Sequence, residues 1–237
     1  MDRTPKRVML KLSGEMLGGD GGAGLDTGAL TGLAAELKEV AEAGFQIAAV
    51  VGGGNILRGA HNTMGIERTT GDYMGMMATI INAMALQSAL ENAGAQCRVL
   101  SAIETPQVCE FFIRRRAMRH MEKGRIVILA GGTGNPYFTT DTAAALRASE
   151  LGCDALLKAT KVDGIYSADP SADPDATRFD TITYRECINR NLRVMDQTAF
   201  SLCQENRLPL VVFSLRERGN ILRAARGDAG VGTRVTD

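Results

Sequence analysis

The chain has 237 residues, of which 45% are hydrophobic, and its 27 Lys and Arg residues are balanced by 27 Asp and Glu residues. This length and composition are typical of one large α/β domain, or of one domain with two lobes. The zero net charge gives no support for a nucleic-acid or membrane-surface partner, and we expect neither.

Cysteine usage and hydropathy indicate the compartment. The five cysteines are odd in number and show no CxxC spacing, which favours free thiols in a reducing cytosol over a disulfide framework or a zinc site. No stretch approaches ~20 consecutive apolar residues, and the apolar stretch near the N-terminus is far too short for a signal peptide. We therefore expect a cytoplasmic protein without a transmembrane helix and without a metal site of its own.

The predicted elements of the first half alternate between strand and helix. A continuous apolar run at residues 45–51 is typical of a strand that is covered on both faces. A glycine-rich loop at residues 18–24 separates the first strand from the first helix. Hydrophobic spacing predicts this order: strand 7–12, helix 26–43, strand 45–51, helix 72–93, strand 95–100, helix 107–122 and strand 125–130.

The second half continues the alternation and adds a turn-rich stretch at residues 160–180, in which we predict a hairpin. The predicted elements are helix 139–151, strand 153–159, helices 183–190 and 195–206, strand 208–213, helix 217–226 and strand 231–236. The pattern predicts an α/β fold with a mostly parallel twisted sheet and helices on both faces. Ligands bind outside the carboxyl ends of such strands, where three glycine clusters lie: Gly14, residues 52–54 and residues 131–134.

Three familiar kinds of site are disfavoured. No GxxxxGK[ST] occurs, so the chain is not a P-loop NTPase. The two histidines, His61 and His120, argue against Ser-His-Asp or histidine–metal chemistry. Gly19, Gly21 and Gly24 have the GxGxxG spacing, but they begin several residues past the strand, which favours a flexible loop over a dinucleotide site.

The first glycine cluster follows a lysine. Lys11 lies near the end of the first predicted strand, and Ser13 and Gly14 follow it. An ammonium group at the carboxyl edge of a sheet, beside a glycine whose backbone can approach an anion closely, is typical of a phosphate site. A lysine that only extends its stem along the surface explains the same residues equally well, so the tetrapeptide leaves both interpretations open.

The second cluster, residues 52–55, follows a strand and opens a helical turn, with Arg58 one turn further on. Three glycine amides, the positive end of a helical turn and a guanidinium would together form a phosphate cradle. A plain tight turn is the alternative, but three consecutive glycines cost considerable backbone entropy, which favours anion binding.

The third cluster, residues 131–140, follows a strand and precedes a helix, and its last two residues are threonines that can cap that helix. Asp141 would lie in the first helical turn, either as a surface acid that complements the helix dipole or as a partner for lysines. Lys11 and Lys158 should end neighbouring strands close by, and one carboxylate could hold both. Lysines, an arginine and glycine amides suit phosphoryl transfer, which needs positioning and charge neutralisation.

Residues 11–14, 52–55 with Arg58, and 133–141 resemble the motif series of the amino acid kinase superfamily. A further set resembles the bacterial uridylate (UMP) kinases more narrowly: residues 71–72, 74–76, 157–164, 168–170 and 194–196. The resemblance covers essentially the whole chain, in order and at sensible spacing. It implies the amino acid kinase-like fold, with a UMP-binding and oligomerisation lobe at residues 1–135 and an ATP-binding lobe at residues 136–237.

The resemblance implies transfer of the γ-phosphoryl group of ATP to UMP in pyrimidine nucleotide biosynthesis, with Mg²⁺ carried mainly by the nucleotide phosphates. Lys11 and Arg58 would stabilise the transferring group, Lys158 would assist, and Asp141 would organise the lysines. The implied ATP-binding residues are Lys11, Leu12, Ser13, Gly14, Gly54, Arg58, Thr160, Tyr166 and Asp169. The implied UMP-binding residues are Gly53, Asp72, Thr133, Gly134, Asn135, Pro136, Tyr137, Phe138, Thr139 and Thr140.

Chemistry makes these roles plausible. The Asp72 carboxylate can accept from ribose hydroxyls, and the Asn135 amide and threonine hydroxyls can match the carbonyls and N–H of uracil. Cytosine would present a donor in place of O4 and leave buried groups unpaired, which gives strong discrimination.

Family members are typically homohexamers, inhibited by UTP and activated by GTP, and the effector region corresponds roughly to residues 19–24 and the helix around Gln87. These relatives carry charged residues where this chain has Gln87 and Ser88, which counts against GTP activation here.

Three other functions fit parts of this pattern. Another kinase of this fold, acting on carbamate, an acyl amino acid or an isoprenoid phosphate, would not need Asp72 and Asn135. A non-catalytic nucleotide-sensing or storage protein would be expected to lack the phosphate-binding Lys11 and Arg58. The arginine run at residues 114–116 could suggest nucleic acid, but on an amphipathic helix such a run is usually a solvated face.

Overall fold

The computed structural model describes residues 6–57, 65–170, 172–192 and 194–237. The strands are β1 (Arg7–Leu12), β2 (Gln46–Val51), β3 (Cys97–Ser101), β4 (Glu110–Phe111), β5 (Ile126–Ala130), β6 (Ala155–Thr160), β7 (Thr181–Thr183), β8 (Leu210–Ser214) and β9 (Gly232–Thr236). The helices are α1 (Thr27–Glu42), α2 (Arg68–Asn92), α3 (Arg114–Glu122), α4 (Thr140–Leu151), α5 (Tyr184–Asn189), α6 (Gln197–Glu205) and α7 (Asn220–Arg226). Residues Gly14–Gly21 form 3₁₀ turns.

These strands form one sheet in the order β4-β3-β5-β2-β1-β6-β8-β9-β7. Neighbouring strands are parallel except β8 and β9, which run antiparallel. The first five strands in sequence lie on one side of the β1–β6 boundary and the last four on the other. The predicted α/β fold with a mostly parallel sheet is confirmed.

Helices cover both faces of the sheet, which explains the continuous apolar runs of its central strands. Side chains of β1 alternate between the faces: Leu10 packs with residues of α1, α2 and α7, and Met9 packs with residues of α3, α4 and α6. Both side chains are fully buried, and burial of one such side chain stabilises the fold by ~1.5–3 kcal/mol. The apolar core therefore occupies both faces, and polar side chains collect at the carboxyl edge.

Helices α2 and α3 start furthest from their predicted positions. Helix α3 begins at Arg114 rather than at 107, because residues 110–111 pair as the edge strand β4 with the end of β3. Helix α2 begins at Arg68 rather than at 72, because the Glu67 carboxylate accepts from the backbone amides of Thr69 and Thr70 and so caps an additional turn.

Two loop regions also differ. A flexible loop was predicted at residues 18–24, but residues 18–21 belong to the 3₁₀ turns. The fully buried Leu17 packs these turns against the core. In the turn-rich stretch the predicted hairpin is short: an antiparallel bridge joins Tyr166 and Arg178, and the amides of Ser167 and Phe179 donate to the carbonyls of Thr177 and Ile165. The short strand β7, which follows that stretch, was not predicted. Among the residues with described structure, no helix is long and apolar enough to cross a membrane.

Candidate active site

Two lysines and one aspartate meet at the carboxyl edge of the sheet. Lys11 of β1 and Lys158 of β6 are direct partners in the parallel ladder. The Nζ atom of Lys11 lies 2.8 Å from Asp141 Oδ1, and the Nζ atom of Lys158 lies 2.6 Å from Asp141 Oδ2. The three side chains are 11–14% exposed, so they form a nearly buried cluster that is open to solvent at one end.

The sequence of α4 places the carboxylate. Thr139 is the N-cap residue, and its hydroxyl oxygen accepts from the amides of Asp141 at 3.1 Å and Thr142 at 3.2 Å. Asp141 consequently lies in the first turn, where the positive end of the helix dipole also favours a negative charge. The Lys158 ammonium makes a second contact, to the backbone carbonyl of Val194.

Burial and charge act against each other in this cluster. Burial alone would raise the pKa of Asp141, but the Lys11 and Lys158 ammonium groups outweigh it and hold that pKa below the ordinary value of 3.8. Burial lowers the pKa of Lys158, an effect that the Asp141 carboxylate offsets only in part. With both lysines protonated the cluster carries one net positive charge, which suits it to binding an anion.

Two glycine turns, at Gly14 and at residues 52–54, lie beside the lysines. They approach their neighbours so closely at two positions that only glycine fits there. A Cβ atom on Gly14 would lie 2.5 Å from Asn55 Oδ1 and 2.6 Å from the carbonyl oxygen of Gly52. A Cβ atom on Gly53 would lie 2.8 Å from the carbonyl oxygen of Gly75 on α2. Gly54, in contrast, has open space where a side chain would be, so its backbone is accessible to a ligand.

A first cavity lies between α2 and the turn that follows β5. It is lined by predicted site residues Gly53, Gly54, Asp72, Thr133, Asn135, Phe138 and Thr140. Four predicted residues of the same segment, Gly134, Pro136, Tyr137 and Thr139, do not line it. Two of them have structural roles: Thr139 caps α4, and the Tyr137 amide donates to Asp72 Oδ2 at 2.8 Å.

Tyr137 shows how tightly this turn is held. Its φ of 72° lies in the left-handed region, which costs a residue other than glycine ~1–2 kcal/mol. The hydrogen bond to Asp72 and the Arg68 guanidinium, 4.6 Å from the centre of the tyrosine ring, compensate for that strain. Asp72 is therefore a structural anchor for the turn as well as a candidate ligand group.

Six residues that line this cavity were not predicted as site residues. Gly71, Gly75 and Thr79 line it from α2, together with Leu57, Met76 and Gly132. Their spacing of four residues places the first three on one face of the helix. That stripe of small residues is a signal that could have identified the helix face that approaches the ligand.

A second cavity of about 620 Å³ lies on the β6 side of the cluster. It is lined by the predicted residues Lys158, Thr160, Tyr166 and Asp169, and its far wall includes Leu192 and Val194. Leu192 lies in an irregular segment without a periodic signal, and Val194 belongs to the motif at residues 194–196, to which no site role was assigned. Since Lys158 belongs both to this cavity and to the cluster, the cavity opens onto the charged edge.

Tyr166 is fixed at the mouth of the second cavity. Its hydroxyl donates to Asp163 Oδ1 at 2.7 Å, and Arg178 Nη1 lies 3.0 Å from Asp163 Oδ2. The hydrogen bond to Asp163 raises the pKa of Tyr166, so the phenol stays neutral. An aromatic ring held in this way can pack against a planar ligand.

Other predicted residues stand as follows. Leu12 is fully buried, so only its backbone could contact a ligand. Arg58 lies outside the described residues. Within the part of the chain that the structure describes, no group of three or more His, Cys, Asp or Glu side chains could hold a metal ion.

The fold and this charged edge define a class of protein. The family model of the amino acid kinase family matches residues 6–214, and the chain belongs to that family. The chain is 55% identical over 224 residues to the uridylate kinase of Methylococcus capsulatus, covering 94% of each sequence. It is 56% identical over 230 residues to that of Zymomonas mobilis, covering 97% of this chain and 95% of the relative. The UMP kinase of Bacillus anthracis, 37% identical, superposes with a TM-score of 0.95 and coverage of 99% and 97%.

Proposed function

We propose that this chain is a UMP kinase, which transfers the γ-phosphoryl group of ATP to UMP and releases UDP and ADP as a step of pyrimidine nucleotide biosynthesis. The observation that carries the proposal is the Lys11–Asp141–Lys158 cluster, which lies at the sheet edge with a cavity for a small molecule on each side. Full-length similarity to uridylate kinases supports the choice of acceptor.

The cluster performs the chemistry by electrostatics and positioning. The transferring phosphoryl group carries negative charge on its equatorial oxygens, and two ammonium groups fixed to one carboxylate can stabilise that charge without reorganising. Asp141 keeps both ammonium groups in place but is not a base. No general base is required, because a phosphate oxygen of UMP is already ionised. We assign Arg58, from its position after the glycine turn, to the same transferring group.

The first cavity would hold UMP. Asp72 would accept from the ribose hydroxyls with the oxygen that the Tyr137 amide leaves free, and Gly53 would contact the phosphate through its backbone. Asn135 and Thr133 would meet the uracil edge. Once uracil covers these groups, an analogue that leaves them unpaired would be rejected, so CMP should be a poor acceptor.

The second cavity would hold the adenosine part of ATP, with the Tyr166 ring against the base and Thr160 and Asp169 beside it. The phosphates would then extend along the glycine turns to Lys11. This arrangement supports a division into a UMP-binding lobe at residues 1–135 and an ATP-binding lobe at residues 136–237.

Mg²⁺ would accompany the nucleotide phosphates. The buried carboxylate nearest the reaction, Asp141, has both of its oxygens occupied by ammonium groups, so it is unsuited to be a metal ligand. The phosphate oxygens of ATP are hard ligands of the kind Mg²⁺ prefers, and the ion would neutralise part of their charge.

We also propose a homohexamer with nucleotide regulation. The exposed side chains of α2 include Tyr73, Met74, Met77, Ile81 and Met84, which are 37–46% exposed and form an apolar surface suited to a second copy of the chain. UTP, which carries the uridine of the acceptor, would compete at the first cavity. A third cavity, lined in part by Gln87, Arg98 and Arg116, supports an effector region near α2, although the uncharged Gln87 counts against GTP as its activator.

The experiment that tests the function is release of ADP from ATP and Mg²⁺ with UMP, CMP, dUMP, carbamate or no acceptor. We expect turnover with UMP and far less with every other acceptor. Turnover with carbamate but not UMP would overturn the uridylate assignment and keep the phosphate site. No turnover with any acceptor would favour a nucleotide-sensing protein.

A further inference from the structure

Two buried asparagines form a reciprocal pair beneath the glycine turns. Asn82 Nδ2 donates to Asn55 Oδ1 at 2.6 Å, and Asn55 Nδ2 donates to Asn82 Oδ1 at 3.0 Å. The second hydrogen of Asn82 Nδ2 goes to the Gly52 carbonyl at 2.7 Å, and that of Asn55 Nδ2 goes to the Gly24 carbonyl at 2.6 Å. All four amide hydrogens are used, and reversing the Asn82 amide would set its oxygen against the Gly52 carbonyl oxygen.

This pair stabilises the chain less than apolar residues of similar size would. Asn82 is fully buried in the middle of α2 and Asn55 is 6% exposed. Asparagine has a low helix propensity, and a buried amide contributes little net stability even when it is hydrogen-bonded. A leucine at position 82 would fit the helix better. A buried polar pair of this kind specifies one arrangement of the segments that it joins.

The pair joins α2, which lines the first cavity, to the glycine turns beside the lysine cluster. Asn55 Oδ1 lies against the turn at Gly14, where a Cβ atom would be 2.5 Å away. One turn before Asn82 on α2, the Thr79 hydroxyl accepts from the Gly131 amide at 2.8 Å. Helix α2 is thus hydrogen-bonded to the second and third glycine clusters and contacts the first through Asn55.

We propose that Asn55 and Asn82 are positioning residues, which hold α2 and its face of the first cavity at a fixed distance from the phosphate-binding glycine turns. The proposal rests on the function proposed above, because the distance matters only if the acceptor lies between α2 and those turns. Neither residue lines either substrate cavity, so both act through the backbone of residues 52–54 and through α2.

The test is the variant N82L, with N92L as control. Asn92 is exposed at the end of the same helix, so the same substitution there should leave both kinetic constants unchanged. A displacement of ~1 Å in a reacting pair can cost ~100-fold, so we expect kcat/KM for UMP to fall ~10- to 100-fold in N82L, with a clear rise in KM for UMP. KM for ATP should change less than about threefold, since the adenosine cavity is remote from the pair.

A purely structural role would reduce the amount of active enzyme and leave both KM values unchanged. N82L with parental KM for UMP and kcat within threefold would therefore overturn the proposal. If N82L does not fold, N82S, which keeps a polar side chain but cannot reach its three partners, is assayed at a temperature where its circular dichroism is parental, and the same outcomes apply. Failure of the parent to phosphorylate UMP would refute the proposed function itself, and the pair would then be tested with the acceptor that the parent uses.

Discussion

Lys11 and Lys158 face each other across the parallel pair β1–β6, and their ammonium groups contact the two oxygens of one carboxylate, that of Asp141. Two buried cations this close would repel each other without that carboxylate. The arrangement explains why a helix begins at this edge with a threonine cap and an aspartate in its first turn.

Asp141→Asn should impair both stability and catalysis. Removing one member of a buried ionic cluster leaves uncompensated charge and typically costs ~3–5 kcal/mol, so the free energy of unfolding in urea should fall by about that amount. We also expect kcat to fall at least ~100-fold, because the lysines lose their positions. The control is Asp228→Asn, on an exposed residue, which should change the free energy of unfolding by less than ~0.5 kcal/mol.

The parent and the D141N variant also test how the free energy of unfolding depends on pH. Because the folded-state pKa of Asp141 is below its ordinary value of 3.8, its contribution to stability is present above pH 3.8 and is lost as the pH falls through the lowered pKa. The difference in unfolding free energy between the parent and D141N should be constant from pH 5 to 7, on the order of several kcal/mol, and should shrink below pH 3.8. A difference that does not depend on pH in that acid range would contradict the assignment.

Gly14→Ala should reduce activity far more than a glycine substitution elsewhere. The added methyl group would lie 2.6 Å from the Gly52 carbonyl oxygen, so one glycine turn must shift. We expect kcat/KM for ATP to fall ~100-fold. Gly32→Ala is the matched control: Gly32 lies in α1 with open space around it, and alanine there should raise stability by ~0.5–1 kcal/mol at parental activity. Equal kcat/KM values for the two variants would count against the close approach of Gly14 to the Gly52 carbonyl.

Substitution of Tyr137 tests the strained turn. Glycine adopts a φ of 72° without strain, whereas alanine does not, so Y137G should unfold with a free energy ~1 kcal/mol higher than Y137A. In ordinary extended or helical backbone the order is reversed, because glycine has more conformational entropy to lose. Urea unfolding of the two variants measures this directly, and the reversed order would show that Tyr137 is not held in the left-handed region.

The apolar surface of α2 should be a subunit contact. Ile81→Asp introduces a charge into that surface, and we expect it to convert the proposed hexamer into smaller species in sedimentation velocity. Ile188→Asp, at a residue of similar exposure on α5, should leave the assembly intact. A parent that sediments as a monomer would refute the oligomer proposal, and an intact hexamer in I81D would show that a different surface is used.

Much of the fold was predictable, because both faces of the sheet are covered and the strands are therefore apolar throughout. The meeting of Lys11, Lys158 and Asp141 was also predictable. Parallel strands end at one edge of the sheet, and the helix that follows a strand and a glycine turn begins at that edge. The start of α3 was predicted wrongly because Phe111, an apolar residue at helical spacing, belongs to the edge strand β4. Leu192 was missed because an irregular segment gives no periodic signal, and the motif that contains Val194 indicated the family but not the cavity that this residue lines.

We propose above that the γ-phosphoryl group passes from ATP to UMP at the Lys11–Asp141–Lys158 edge. Single-turnover transfer from γ-labelled ATP to UMP by the parent and by Lys11→Ala tests it most directly, with circular dichroism to verify folding and ADP affinity to verify nucleotide binding. We expect the parent to form labelled UDP and the folded K11A variant, with ADP affinity near parental, to do so at least ~100-fold more slowly. A parental transfer rate in K11A, or no labelled UDP from the parent, would contradict this account.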